Sequence, residues 1–72
     1  MDVKLDLYKV FTEVVKCESF SKAAKALYMT QPAVSQSIKQ LEKELQIRLF
    51  TRTPKGVTLT NDGKLLYEYV NS

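Results

Sequence analysis

Four apolar stripes with helical spacing constrain this chain more than any other feature of its sequence. In each stripe the apolar side chains recur at intervals of three and four residues, which places them on one face of an α-helix. Each stripe follows a residue whose short side chain can accept hydrogen bonds from the free N–H groups of a first helical turn. These capping residues are Asp2, Ser19, Thr30 and Thr60. The sequence therefore predicts an all-α fold.

The stripes also predict the core. They are Leu7, Val10, Phe11 and Val14, then Phe20, Ala23, Ala24 and Leu27, then Val34, Ile38, Leu41 and Leu45, and finally Leu65, Leu66, Tyr69 and Val70. The alanines of the second stripe allow another helix to cross closely. We also expect Phe50 in the core, and we expect Tyr28 and Met29 to pack in the turn between the second and third helices.

Two short β-prone runs lie between the third and fourth stripes. Residues 49–52 and 57–60 flank the segment Thr53-Pro54-Lys55-Gly56, whose proline and glycine favour a tight turn. We therefore predict a small hairpin, over residues 50–59, with a basic tip at Lys55. The fold is then an all-α, three-helix core with a hairpin wing and one further helix.

Length and composition exclude several classes of protein. A chain of 72 residues suits one domain. Its single cysteine cannot form an internal disulfide, and without any histidine it also has too few ligands for a structural zinc site. We expect no cofactor, and we expect Cys17 to be a half-buried residue at a helix end, with a redox sensor as the alternative. No apolar run approaches the roughly 20 residues that span a bilayer, and residues 1–4 do not begin a signal peptide. These features favour a cytoplasmic protein without a membrane partner.

Positive charge is concentrated in the middle of the chain. Seven of the eleven basic residues lie between Ser19 and Thr60, with only two acidic residues, Glu42 and Glu44. On the third helix, the face opposite the apolar stripe is polar, basic and free of acids. Its members are Pro32, Gln36, Lys39 and Lys43, with Ser35 and Gln40 at its edges.

A short capped helix, a three-residue turn and a longer helix with a polar outer face are typical of a helix-turn-helix. The major groove of DNA admits one α-helix, whose first turns reach base edges, so double-stranded DNA is the expected partner. A winged helix that binds another protein is the alternative, and such a module would be expected to have an apolar outer face on its third helix. We expect no enzyme, because the chain has no histidine, glycine-rich phosphate loop or evident pair of catalytic carboxylates.

Several motifs resemble the N-terminal signature of LysR-type transcriptional regulators, in the same order and with matched spacing. They are residues 19–27 (SFSKAAKAL), 30–38 (TQPAVSQSI), 41–42 (LE), 49–52 (LFTR) and 59–63 (LTNDG). The resemblance covers essentially the whole chain. It implies a winged helix-turn-helix, with a DNA-binding domain over residues 1–60 and the start of a linker helix over residues 61–72.

The resemblance also implies roles for individual residues. The positions matching those that face the major groove are Thr30, Gln31, Pro32, Ser35, Gln36 and Lys39. Ser21 and Lys22 match positions that contact the DNA backbone, and Arg52 matches a wing arginine that approaches the minor groove, beside the basic tip at Lys55. Leu65, Leu66 and Tyr69 match the helix through which such proteins dimerise.

For the whole protein, the resemblance implies a homodimer and higher oligomers on an AT-rich, imperfect inverted repeat. It also implies a C-terminal domain, outside this chain, that binds a small-molecule inducer. Three positions depart from the family pattern: Glu18 and Gln46 replace common glycines, and Asp62 replaces a common alanine. If Gln46 requires a positive φ angle, we expect it to cost about 1 kcal/mol.

Overall fold

The computed structural model describes residues 3–72, with side chains from residue 6 onward, as four helices and a two-stranded antiparallel sheet. The elements are α1 (Val3–Cys17), α2 (Phe20–Leu27), α3 (Gln31–Leu45), β1 (Phe50–Thr53), β2 (Gly56–Leu59) and α4 (Asn61–Val70). The predicted all-α fold with a hairpin wing is confirmed. The predicted cap at Asp2 lies outside the described residues.

The three remaining predicted helix caps are confirmed. Ser19, Thr30 and Thr60 have extended backbones, and the side-chain oxygen of each accepts a hydrogen bond from the backbone N–H three residues further on, at 3.1, 3.2 and 3.0 Å. Each such cap contributes about 1 kcal/mol to helix stability. Local hydrogen bonding thus determines where α2, α3 and α4 begin.

Helices α1, α2 and α3 pack around one hydrophobic core. The predicted stripes of these helices face it, with Leu27 and Leu45 only partly buried at its edge. Phe50 of β1 is also buried, and its ring lies 5.5 Å from the Phe11 ring and 5.8 Å from the Phe20 ring, between centroids. These aromatic contacts attach the first strand of the wing to the helical core.

The turn between α2 and α3 differs from expectation at one residue. Met29 packs partly buried against the core, as predicted, but Tyr28 is 98% exposed, so the prediction that it packs in the turn is wrong. Tyr28 is the C-cap of α2 and has a left-handed backbone, with φ at 56°. Because the chain reverses at this cap, adjacent side chains point in different directions, and only Met29 reaches the core.

The hairpin pairs Phe50 with Leu59 at its base and Thr53 with Gly56 next to its tip. Gly56 has a φ angle of 137°, and a Cβ added there would lie 2.8 Å from the backbone oxygen of Glu18. The wing therefore approaches the junction of α1 and α2 so closely that this position of the turn requires glycine.

Helix α4 leaves the wing and returns to α1. The Thr60 hydroxyl donates a hydrogen bond to the carbonyl oxygen of Arg48, and the Tyr67 ring meets the Phe11 ring edge-on, with 6.3 Å between centroids. The predicted apolar stripe of α4 divides between two faces. Leu66 packs against the core with Tyr67, whereas Leu65 and Tyr69 are 65% and 80% exposed.

Candidate nucleic-acid interface

The outer face of α3 lies opposite the buried Val34, Ile38 and Leu41. It consists of five exposed residues, with Ser35 partly buried at its edge. These five residues are Pro32, Gln36, Lys39, Gln40 and Lys43. The structure thus confirms that α3 buries its aliphatic edge and exposes amide and ammonium groups to solvent. Glu44 is exposed too, but it lies near the C-terminal end of the helix.

The first turns of α2 and α3 meet at the N-terminal end of this face. The Ser21 hydroxyl donates a hydrogen bond of 3.0 Å to Oε1 of Gln31, although ten residues separate them in the chain. Lys22 is exposed next to Ser21, and Thr30 is exposed just before Gln31. The predicted backbone-contacting and base-reading residues therefore occupy one continuous surface.

Arg52 joins the wing to α3. Its Nη2 donates a hydrogen bond of 3.1 Å to the Ser35 hydroxyl oxygen, and its Cζ lies 4.5 Å from the centroid of the Phe20 ring. A cation stacked on an aromatic face in an exposed setting gains about 0.5–1 kcal/mol. The guanidinium is therefore held beside the outer face of α3, while Lys55 occupies the tip of the wing.

A cleft runs between α3 and β1. Cations and hydroxyls line its mouth, whereas its floor includes Phe20, Ile38 and Phe50. The polar lining comprises Ser35, Lys39, Glu42, Arg48, Thr51 and Arg52. Sequence reasoning gave no role to Arg48 and Thr51, and the position of Arg48 in the basic middle of the chain was the only signal for either.

Glu42 is the one acidic group among the residues that line this cleft, and it has a structural contact. Its Oε2 accepts a hydrogen bond of 2.7 Å from the backbone N–H of Leu49, which links the last turns of α3 to the segment that enters the wing. A carboxylate held in this way fixes the distance between helix and wing.

The residues predicted to mediate dimerisation lie apart from this surface, on α4. Of the three, Leu65 and Tyr69 occupy neighbouring positions on one exposed face, four residues apart, while Leu66 is partly buried against the core. The fold therefore leaves two of the three available to a partner.

Cys17 lies partly buried at the end of α1, as predicted. Its Sγ is 3.7 Å from Oε1 of Glu13, to which it donates a hydrogen bond. Desolvation and the neighbouring Glu13 carboxylate both raise the pKa of the thiol above its ordinary value. A raised pKa disfavours the reactive thiolate, and this environment is the opposite of one that activates a redox cysteine.

Within residues 3–72, no helix has the length and apolar character needed to cross a membrane. The same part of the chain has no cluster of three or more histidine, cysteine or acidic side chains able to bind a metal ion.

A three-helix core, a three-residue turn before a helix with an exposed polar face, and a hairpin beside that helix together define a winged helix-turn-helix domain. Residues 5–64 match the family model described as "Bacterial regulatory helix-turn-helix protein, lysR family". The chain belongs to this family.

Relatives and solved structures agree with this membership. The chain is 50% identical over 68 residues to an uncharacterized HTH-type transcriptional regulator of Methanocaldococcus jannaschii. The matched segment covers 94% of this chain and 23% of that protein. It matches the BenM DBD in a crystal structure with catB site 1 DNA at a TM-score of 0.87 and 37% identity, over 99% of this chain and 78% of that one. The CbnR DBD–DNA complex matches at a TM-score of 0.87 and 28% identity, over 99% and 79%.

Proposed function

We propose that this domain binds double-stranded DNA with sequence preference, by inserting α3 into the major groove. The observation that carries the proposal is the outer face of α3, which is exposed, polar and basic from Pro32 to Lys43 while its opposite edge is buried. The groove accommodates a single α-helix, and amide, hydroxyl and ammonium groups can hydrogen-bond with base edges. Family membership and the DNA complexes of two structural neighbours support this function.

In this function, the residues divide between reading and positioning. The side chains proposed to reach base edges lie in the first two turns of α3, preceded by the cap Thr30; they are Gln31, Pro32, Ser35 and Gln36. The cations proposed to contact phosphates are Lys22, Lys39, Arg52 and Lys55. Phosphate contacts fix the orientation of a protein on the duplex but carry no direct sequence information.

The position of the wing on DNA follows from the same docking. With α3 in the major groove, the hairpin lies over the adjacent strand, where Arg52 and Lys55 can approach phosphates or the neighbouring minor groove. Arg52 is held against Ser35 and Phe20, so its position is prepared before DNA binds. Lys55 stands further out, at the tip, where its backbone N–H donates a 3.3 Å hydrogen bond to the Thr53 hydroxyl.

Further proposals concern the whole protein, because the chain spans only about 23% of the length of the first relative described. Residues 1–60 would form the DNA-binding unit, and the helix beginning at residue 61 would link it to a second copy through Leu65 and Tyr69. We propose a homodimer, with higher oligomers, on an AT-rich imperfect inverted repeat. A separate domain would bind a small-molecule inducer, and a cytoplasmic, non-enzymatic regulator suits this arrangement.

A winged helix that only binds other proteins is the competing function. Such a domain would be expected to carry an apolar patch on the outer face of α3. That face is polar and basic, so DNA binding is the better supported of the two.

The decisive experiment is to select bound sequences from a random duplex pool and then to titrate salt against the affinity for the best sequence. We expect the selected duplexes to share a consensus sequence. We also expect the affinity to fall as the salt concentration rises, because lysine and arginine side chains that bind phosphates release counterions from DNA. Replacing Lys39 with glutamine should lower the salt slope by about one unit. A matched control, Lys9→Gln on the exposed side of α1, removes the same charge and should leave the slope unchanged.

Two results would contradict the proposal. The first is recovery of random sequence with no enrichment, since a domain that reads base edges must prefer some of them. The second is an equal effect of the two lysine substitutions, because a charge on α1 lies outside the proposed interface and contributes only to the net charge of the domain.

A further inference from the structure

The hydrogen bond between Ser21 and Gln31 bears on how the proposed interface selects its base pairs. The Ser21 hydroxyl donates to Oε1 of Gln31 across the gap between α2 and α3, at 3.0 Å. Both residues are exposed, and Gln31 is the first residue of α3. The contact therefore lies where a docked recognition helix would meet base edges.

The chemistry of a hydroxyl limits what Ser21 can do in addition. A serine hydroxyl has one hydrogen, whereas the non-bridging oxygens of a phosphodiester are acceptors only. A hydroxyl that donates its hydrogen to Gln31 has none to donate to the DNA backbone. The contact with Oε1 therefore competes with the phosphate-contacting role that the sequence resemblance implies for Ser21.

The same bond restricts Gln31. A glutamine amide has an acceptor oxygen on one side and a donor NH₂ group on the other, and a rotation of 180° exchanges them. The Ser21 hydroxyl donates to Oε1 in this arrangement and would accept from Nε2 after such a rotation, so in either case the contact holds the end of the Gln31 side chain beside α2. The free edge of the amide then meets the groove at one fixed place, so it faces one base pair, whose two orientations present different donor and acceptor patterns.

We propose that Ser21 is a positioning residue that holds the Gln31 amide in one place and thereby sharpens base selection at one position of the site. This inference rests on the proposed DNA-binding function and deepens it. In the free domain the exposed bond is weakened by competition with water, and it strengthens when docking on DNA excludes that water. Its contribution is therefore expected in discrimination between bound sequences and not in folding.

The test compares Ser21→Ala with the unaltered 72-residue chain on three duplexes. These are the selected sequence, the same sequence with the base pair facing Gln31 reversed, and an unrelated sequence. We expect Ser21→Ala to reduce the discrimination between the first two by about three- to tenfold, the range of one hydrogen bond. Affinity for the unrelated duplex should remain unchanged, and Ser21→Thr, which keeps the hydroxyl, should retain the discrimination.

Two controls separate positioning from other effects. Alanine favours an exposed helical position more than serine does, so Ser21→Ala should not unfold α2. In a chain that already carries Gln31→Ala, removing the Ser21 hydroxyl should have no further effect on base preference, because the two substitutions act through one amide.

The outcomes distinguish this inference from the function on which it rests. An equal loss of affinity on all three duplexes would make Ser21 a phosphate contact, and no change on any of them would deny it a role; either result overturns the inference and leaves DNA binding intact. If the unaltered chain prefers none of the duplexes, the proposed function itself fails.

Discussion

Replacing Gln46 with glycine is expected to stabilise this domain, because the residue is held in a left-handed conformation. Gln46 is the C-cap of α3, with φ at 57° and ψ at 41°, and its backbone N–H donates to the Glu42 carbonyl. An L-residue in this region costs roughly 1–2 kcal/mol, a cost that glycine avoids. Glycine in turn loses about 0.4–1 kcal/mol through the greater freedom of the unfolded chain. The net gain in the free energy of unfolding is therefore about 1 kcal/mol.

The change can be measured by thermal unfolding followed by circular dichroism. For a domain of this size, a gain of 1 kcal/mol corresponds to a rise in Tm of about 4–8 °C. The matched control is Gln40→Gly, the same substitution at an exposed position in the middle of α3. There the backbone is right-handed, and glycine should lower stability by about 1 kcal/mol.

Opposite signs at the two glutamines would identify backbone conformation as the cause, since composition and charge change identically. A Tm of Gln46→Gly at or below that of the unaltered domain would refute the reasoning. It would mean that the left-handed cap carries no net strain, or that the Gln46 side chain stabilises the fold through contacts that offset it.

Three further predictions concern the wing, the start of α4 and the thiol. Arg52→Ala should weaken DNA binding nearly equally on all sequences and lower the salt slope by about one unit if Arg52 contacts phosphate; an unchanged affinity would remove the wing from the interface. Gly63→Ala should destabilise the domain by about 1–3 kcal/mol in urea unfolding, because a Cβ there would lie 2.3 Å from the Leu49 carbonyl oxygen; wild-type stability would show that the backbone yields easily. Alkylation of Cys17 should show a midpoint pH above that of a free cysteine, and Glu13→Gln should lower it by removing a neighbouring negative charge; an unshifted midpoint would exclude the assigned cause.

The bounds of α3 were predictable because they depend on local hydrogen bonding. Thr30 caps the first turn, Pro32 lies where a missing N–H costs nothing, and the apolar spacing continues to Leu45. The hairpin was predictable for a similar reason, since a tight turn at Pro54 and Lys55 separates two β-prone runs. These signals act over three to five residues, a range that a single sequence records directly.

The α4 stripe and Tyr28 show where local patterns end. Leu65 and Leu66 are identical side chains, yet Leu65 is exposed and Leu66 packs on the core. The direction in which α4 leaves the wing decides which face of the helix meets α1. Tyr28 is an aromatic residue in a tight turn, and its left-handed backbone directs it to solvent. In both cases the outcome depends on the relative placement of elements.

The sequence by itself determined the helices, the wing and the exposed polar side of α3, because periodicity and capping are properties of neighbouring residues. Only the tertiary structure decided that Ser21 meets Gln31 and that Arg52 lies between Ser35 and Phe20. Those pairs are brought together by the angle at which α2 crosses α3 and by the packing of β1 against both. Side-chain hydrogen bonds form over about 3 Å, so they depend on interhelical geometry that no local pattern encodes.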